Sequence, residues 1–355
     1  MPRTVLVPGS SEDPRVVEAV DAARRVAGLG TDVSATLAWC VEVGREAPRV
    51  GGGRTRELWE LLAATAALDV SAARMLEPHL DALSILHQAS TANAQDRPDL
   101  ERVHVRPGSR WGVFAAEAAG KRLQAVRDGQ EWRLRGTKPW CSLAEHLTHA
   151  LVTASVDDDH RGLFAVELQS PGVHPHGGPW FARGLADVVS SDVDFDDVPA
   201  VAVGGVGWYL SRPGFAWGGM SVAACWWGAA VGLAGSLIAA ARSERADQLA
   251  LAHLGRVDAA LWAARAALAE AADLVDDGRS ASVGDRLLAE RVRSVVVTSA
   301  NLTLAEADAA LGPAPLVMDE AHARRVADLH LYLRQHHGLR DSVRIGRDVV
   351  AAAGA

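Results

Sequence analysis

The sequence predicts an α+β protein in which one β domain lies between two helical regions. Residues 132–140 alternate apolar and polar side chains between glycine and proline, a pattern typical of strands and turns. A polar turn at residues 127–129 joins them to another short apolar segment. Residues on both sides of this unit carry apolar side chains at helical spacing. With 355 residues, 49% of them hydrophobic, the chain can fill the cores of two or three domains.

The first domain, predicted to span residues 1–107, is helical. Asp13 stands before Pro14, as a capping acid stands before a proline at the first helical position. A second helix is predicted over residues 33–45. The glycine-rich residues 48–54 follow no strand and precede no Gly-Lys-Ser/Thr, which indicates an ordinary loop rather than a phosphate-binding loop. Leucines at helical spacing then predict a long helical region: Leu58, Leu61, Leu62, Leu68, Leu76, Leu80 and Leu83.

The second domain, residues 108–205, is predicted to be an antiparallel β-barrel or sandwich. Strands are expected over residues 150–154, 162–168 and 188–195, and the acidic turn at residues 157–159 separates the first two. Together with the alternating segment described above, this gives at least five strands. That number is enough for a compact β domain.

The third domain, residues 206–355, is predicted to be a four-helix bundle. Apolar residues lie on one face of residues 255–276 and 285–310, and a last helix is expected over residues 320–334. Residues 214–241 carry no charge and are long enough to span a bilayer. A helix that is apolar all round can equally be the buried centre of a bundle. We prefer the buried helix, with no membrane span, because Ala and Gly dominate the segment and no second span accompanies it.

Composition narrows the classes of partner. The net charge of −8 argues against nucleic acid, because a phosphate-binding surface needs clustered Lys and Arg. Cys40, Cys141 and Cys225 are far apart and form no CxxC, so neither a disulfide framework nor a zinc site is predicted. This cysteine usage fits a reducing cytoplasm.

Two segments of the predicted β domain carry a pattern associated with a cofactor site. Residues 134–142 read Leu-Arg-Gly-Thr-Lys-Pro-Trp-Cys-Ser. They resemble the Leu-x-Gly-x-Lys-x-Trp-Ile-Thr-Asn segment of the acyl-CoA dehydrogenase family, with Trp140 at the Trp position and Ser142 at the hydroxyl position. The run Trp111-Gly112-Val113-Phe114 is similar to the family's segment of an aromatic residue, two residues and a Thr.

The resemblance implies the acyl-CoA dehydrogenase-like fold, with an N-terminal helical domain, a middle antiparallel β domain and a C-terminal helical bundle. It implies FAD as cofactor, with Trp140 against the flavin, Ser142 bonded to the ring system, and the backbone of Trp111, Val113 and Phe114 nearby. Such a wall with a few donors is what a flavin needs. The implied reaction is α,β-dehydrogenation of an acyl thioester, with an electron-acceptor flavoprotein as partner and a homo-dimer or homo-tetramer as assembly.

The chain departs from the family at the catalytic base, which must remove a proton next to the thioester carbonyl. His336 or His337 stands where many members have a Glu near the chain end, and Ala216 stands where other members have it. A neutral His can act as a base near pH 7. It can equally donate a hydrogen bond during oxygen activation, as in the family's monooxygenase branch, or be a structural residue at a helix end. Glu117 and Asp187 are alternative bases.

The cofactor anchors depart as well. Residues 242–247 contain arginines but no Phe-Gly, residues 311–313 keep only part of a Gly-Gly-x-Gly motif, and residues 115–120 lack an acid-rich turn. These losses leave three outcomes for FAD: weak binding, binding in an altered pose, or no binding. The sequence therefore predicts an acyl-CoA dehydrogenase-like oxidoreductase first. The two alternatives are a flavin-dependent monooxygenase of the same fold and a non-catalytic member.

Overall fold

The order of elements along the chain is helices, then strands, then helices, which confirms the predicted α+β class. The computed structural model describes residues 13–92, 97–129, 131–244 and 246–353. The first four helices, α1 to α4, span Pro14–Arg24, Val33–Glu46, Thr55–Leu68 and Val70–Ala92. The later helices, α5 to α12, span Trp208–Ser211, Pro213–Ala241, Gln248–Asp276, Ser280–Val283, Asp285–Leu311, Ala314–Met318, Glu320–Tyr332 and Leu339–Ala353. Short 3-10 helices cover Leu100–Val103 and Leu333–Gln335.

Between the helical regions, the strands close into a barrel. The strands, β1 to β7, span Trp111–Phe114, Leu123–Asp128, Glu131–Ser142, His149–Ser155, Arg161–Glu167, Val173–Pro175 and Ser190–Ala202. Strands β4, β2, β3, β7 and β5 pair in that order, and β5 returns to β4. Most pairings are antiparallel, as predicted, whereas β1 and β2 run parallel to β4. β1 stands at the end of the strand order.

The first helix begins at the predicted capping residue, and another aspartate caps α4. The Asp13 side chain accepts a hydrogen bond from the backbone of Arg15, which caps α1 before Pro14. The long leucine-rich region is two helices rather than one, because Asp69 adopts an extended conformation between α3 and α4. The Asp69 carboxylate then accepts from the backbone N–H of Ala72 at 2.7 Å and caps the start of α4.

Two contacts tie the first helices to the last bundle. The glycine-rich segment 48–54 is a loop, as predicted, and it ends against the carboxylate of Asp276. That carboxylate accepts from the backbone N–H groups of Gly53 at 3.1 Å and of Thr55 at 2.8 Å. The buried Trp59 indole also donates to the Ser221 hydroxyl at 3.0 Å. Burial of the Trp59 N–H is therefore matched by a hydrogen bond.

Helix α6, the charge-free segment, forms the centre of the bundle. Among the described residues, α6 is the single helix that is both long enough and apolar enough to cross a membrane. An 18-residue window of this helix has a mean hydropathy of 1.7. In that window, 67% of the helix is buried inside the protein. Trp226 and Trp227 are 0% and 2% exposed. Gly228 lets α6 approach α3 closely, because a Cβ there would overlap the carbonyl of Ala63.

The end of the chain differs from the sequence prediction. The helix expected over residues 320–334 is α11 followed by a 3-10 turn. A further helix, α12, was not predicted, and it packs on α9 through Arg286 and Asp348, whose closest atoms are 2.7 Å apart. We retain residues 1–107, 108–205 and 206–355 as proposed domains.

The close approach of α6 to α3 predicts opposite effects of alanine at two glycines of α6. Gly228→Ala should lower the unfolding free energy by about 1–3 kcal/mol, because the new methyl group meets the backbone of α3. Gly235→Ala, where a Cβ meets nothing within 4 Å, should raise it by up to about 1 kcal/mol. Urea unfolding of both variants provides the measurement. Equal effects of the two substitutions would contradict this packing.

Candidate functional site

A cavity of about 630 Å³ lies where α4, the barrel and α11 meet. Its barrel side is formed by the segment after β1, the end of β3 and the start of β7. Its helical side is formed by α4, α5 and the end of α11. Pockets of this size and position hold small molecules and cofactors.

Trp140 forms a flat wall of this cavity. The β3–β7 register shifts between Lys138 and Cys141, and Trp140 on this bulge has a φ of 60°. A bulky residue rarely adopts this left-handed conformation, and the bulge redirects its side chain. As a result Trp140 is 57% exposed, whereas Cys141 is 0% exposed. Cys141 therefore faces the core, and this burial raises the pKa of its thiol.

Ser142 connects the barrel to the helices at the cavity. Its hydroxyl receives a hydrogen bond from the Arg74 guanidinium at 3.0 Å and lies 2.7 Å from the Ser190 hydroxyl. Arg74 also stacks over the Tyr332 ring, 5.9 Å from its centroid. One arginine of α4 thus contacts both β3 and α11. These contacts fix the position of the hydroxyl beside Trp140.

A buried lysine lies behind the cavity wall. Lys138 is 1% exposed, and its ammonium group donates to Glu117 and to Thr153, both at 2.8 Å. Burial lowers the pKa of Lys138, while the Glu117 carboxylate opposes that effect. Arg161 also lies 3.5 Å from Glu117. Glu117 lines the cavity but is engaged with two cations, which makes it a poor candidate for a free base.

The α4 wall carries two acids that the sequence interpretation missed. Glu77 and Asp81 are one helical turn apart and line the cavity. Burial, and then the charge of Asp81, raise the pKa of Glu77 to about 8. Burial also raises the pKa of Asp81, against the opposing effect of Arg212. The available signal was the position of both acids beside Leu76 and Leu80, on a stripe predicted to be core.

The structure brings some of the predicted site residues to the cavity and not others. Val113, Trp140, Ser142 and His337 line it. Trp111 and Phe114 are each 2% exposed and pack in the core. Trp111 lies against His149, with ring centroids 5.0 Å apart. His336 and Asp187 lie outside the lining of this cavity. Of the segment Trp111–Phe114, only Val113 contributes to this lining.

The two histidines contact different oxygens of the Asp341 carboxylate. His336 Nε2 is 3.3 Å from one carboxylate oxygen, and His337 Nδ1 is 3.6 Å from the other. The His336 side chain is 8% exposed and that of His337 is 64% exposed. Burial lowers the pKa of His336, against the opposing charge of Asp341. The arrangement places only His337 where it can meet a ligand.

The cavity residues fit the ring system of a flavin. Trp140 holds a large aromatic face open in a conformation that costs energy, and a planar ring stacked on it would cover that face. Ser142, Ser190 and Arg74 supply hydrogen-bonding groups at the edge of the same wall. An apolar surface with a few positioned donors suits a flavin.

No protein-family model matches the sequence, and no curated protein matches it. Solved structures do match its fold. KijD3, in a complex with FMN and a dTDP-linked amino keto sugar, is 20% identical, with a TM-score of 0.76 over 99% of this chain and 97% of that one. TdsC from Paenibacillus sp. A11-2, with FMN and indole, is 17% identical, with a TM-score of 0.79 over 94% and 96%. Butyryl-CoA dehydrogenase from Megasphaera elsdenii is 15% identical, with a TM-score of 0.77 over 96% and 99%.

These likenesses confirm the resemblance at the level of fold. The chain has the acyl-CoA dehydrogenase fold, as the structure of butyryl-CoA dehydrogenase demonstrates. In KijD3 and TdsC the same fold binds FMN. At 15 to 20% identity, the chemistry must be argued from the site.

The pKa of Glu77 predicts that stability falls as the pH rises through neutrality. Unfolded Glu ionises near pH 4.5, whereas folded Glu77 keeps its proton to about pH 8. The folded chain therefore binds more protons in this window, and the unfolding free energy decreases with rising pH. Glu77→Gln removes this contribution. The substitution should therefore raise the unfolding free energy more at pH 8 than at pH 5. The difference should be at most about 1.4 kcal/mol for each unit by which the folded and unfolded pKa values of Glu77 differ.

Urea unfolding at both pH values tests this expectation. Glu18→Gln, on the exposed face of α1, is the matched control and should leave the pH profile unchanged. A profile of Glu77→Gln that falls as steeply as that of the wild type would contradict the assignment.

Proposed function

We propose that the protein is a flavin-dependent monooxygenase acting on a small polar molecule. The observation that carries the proposal is the chemistry of the cavity wall that α4 and α5 form. Arg74, Glu77, Asp81 and Tyr209 line it. The acyl chain of a thioester would have to displace water from these groups without bonding to them, which is unfavourable. A polar substrate can bond to them.

The residues around the cavity have distinct proposed roles. Trp140 and Val113 form the wall for the flavin ring, and Ser142 donates to or accepts from its edge. Arg74 orients Ser142. His337, whose side chain is largely exposed and lines the cavity, is the proposed hydrogen-bond donor to the ligand. When bound, reduced flavin supplies two electrons to O₂, so that one oxygen atom enters the substrate and the other leaves as water. The protein's own part is to orient both molecules and exclude water.

One neighbour of the same fold supports oxygen chemistry, and another supports a polar substrate. TdsC is a dibenzothiophene monooxygenase and binds FMN with indole. KijD3 binds FMN together with an amino keto sugar nucleotide. We propose FMN before FAD, because the sequence lacks the Phe-Gly and complete Gly-Gly-x-Gly elements that hold the second half of FAD in the family resembled.

The second candidate is the acyl-CoA dehydrogenase-like reaction implied by the resemblance. The observation in its favour is Glu77, a buried carboxyl on the cavity wall whose pKa of about 8 suits a base near neutral pH. In this function an electron-acceptor flavoprotein would reoxidise bound FAD. The third function, a non-catalytic member, predicts no flavin binding.

We also propose that the protein is a homo-oligomer located in the cytoplasm. Apolar side chains exposed on the bundle support a homo-dimer or homo-tetramer, including Leu249 and Trp262 on α7, both 61% exposed. Three buried free cysteines, Cys40, Cys141 and Cys225, fit the proposed cytoplasmic location.

The flavin site predicts a selective loss of binding in a tryptophan variant. Trp140→Ala should weaken FMN binding by about tenfold or more, because the stacking surface is removed. Trp262→Ala removes an equally exposed indole on α7 and should leave affinity unchanged. Quenching of flavin fluorescence during titration measures both affinities. Equal affinity of the two variants would place the flavin elsewhere.

Oxygen transfer and dehydrogenation give different observations with the same protein. The proposed monooxygenase should insert label from ¹⁸O₂ into a polar substrate when reduced FMN is supplied. It should leave acyl-CoA unchanged. Anaerobic bleaching of bound oxidised flavin by an acyl-CoA, lost in Glu77→Gln, would instead establish the second candidate. A protein that binds no oxidised or reduced flavin would contradict both.

A further inference from the structure

Glu77 and Asp81 form an acidic pair that no cation of the described chain neutralises directly. Neither carboxyl makes a hydrogen bond, and neither lies within 4.0 Å of an Arg, Lys or His nitrogen in the ranges the structure describes. Glu77 is 8% exposed and faces the cavity. A buried carboxyl without a partner costs folding free energy. The pair therefore offers unused acceptor capacity to a ligand.

Three arginines lie near the pair but are engaged elsewhere. They oppose the effect of burial on the pKa of Glu77 or Asp81 without pairing with either acid. Their bonds are from Arg74 to the Ser142 hydroxyl, from Arg212 to Gln88 Oε1, and from Arg293 to the carbonyls of Gly219 and Gln335. The guanidinium groups of Arg74 and Arg212 also stack over tyrosine rings. Because these arginines bond to other groups, none of them pairs with Glu77 or Asp81, and both acids line the cavity.

Pro78 stands between the two acids in the sequence of α4 and lines the cavity. Because proline has no N–H, the carbonyl of Arg74 lacks the donor that the next helical turn normally provides. The buried Tyr332 hydroxyl also has no nitrogen or oxygen hydrogen-bond partner among the described residues, and Tyr332 lines the same cavity. Two carboxyls and Tyr332 therefore lie on the helical side of the cavity.

We infer that this acidic pair binds the ammonium group of the substrate, so that the substrate is a small organic amine. An ammonium group carries three donors and one positive charge, which matches two carboxyls. Its charge favours the ionised form of an acid, so Glu77, whose pKa is about 8 without a ligand, loses its proton when the amine binds at pH 7. Charge-assisted bonds to carboxylates are about twice as strong as neutral bonds. The inference rests on the proposed function, because it names the substrate class of that site.

The test compares three ligands of the same shape and different charge. Cyclohexylamine, cyclohexanol and cyclohexanecarboxylate are titrated into the full-length protein at pH 7 by calorimetry, with and without saturating FMN. The amine should bind about tenfold more tightly than the alcohol, and the carboxylate most weakly. Equal affinities, or tightest binding of the carboxylate, would overturn the inference.

Three variants assign the preference to the pair. Asp81→Asn and Glu77→Gln should each weaken amine binding by about tenfold and leave alcohol binding within about twofold. Asp187→Asn, an acid outside the cavity lining, is the control and should change neither affinity. Unchanged amine affinity in both cavity variants would overturn the inference. If a variant does not fold, the ranking of the three ligands on the wild type still decides.

The outcomes separate this inference from the proposed function. An amine preference without any flavin binding would contradict the monooxygenase and keep the ammonium site. Flavin binding and ¹⁸O transfer without an amine preference would overturn the ammonium site alone.

Discussion

Helix α4 is the element on which the arrangement of the other parts depends, because each of its faces bonds to a different part. On one face, His79 Nδ1 accepts the backbone N–H of Trp111 at 3.3 Å, which fixes the start of β1. Burial lowers the pKa of His79 to about 4, so the ring is neutral and can accept. On the other face, Arg74 donates to Ser142 at the end of β3. Glu77 faces the cavity between these contacts.

Local sequence was sufficient to predict the order of elements, because periodicity placed the helices and strands. Trp140 and Ser142 were singled out by the resemblance of residues 134–142 to a family segment, and both line the cavity. Side chains alternate along β3, so Cys141 faces away from Trp140, as its burial shows. These features depend on a few neighbouring residues. The parallel pairing of β1 and β2 with β4 depends on distant contacts, so no local pattern indicated it.

The acids of α4 could not be placed from sequence, because their role depends on which face of the helix meets the barrel. Glu77 and Asp81 stand beside Leu76 and Leu80 of the predicted core stripe, but helical periodicity does not say which element packs against that stripe. The same limit applies to His336 and His337, which are adjacent in sequence but differ in exposure and contact different oxygens of Asp341. Tertiary packing alone decides that one is buried and the other reaches the cavity.

The buried position of α6 has a consequence for the synthesis of the chain. α3 emerges from the ribosome long before α6, whereas α7 and α9, which cover the remaining faces of α6, emerge after it. During that interval a long uncharged helix has only part of its surface covered. Transiently exposed apolar surface of this kind favours aggregation and chaperone binding. The central helix that stabilises the folded bundle is therefore also the segment through which the nascent chain depends most on chaperones.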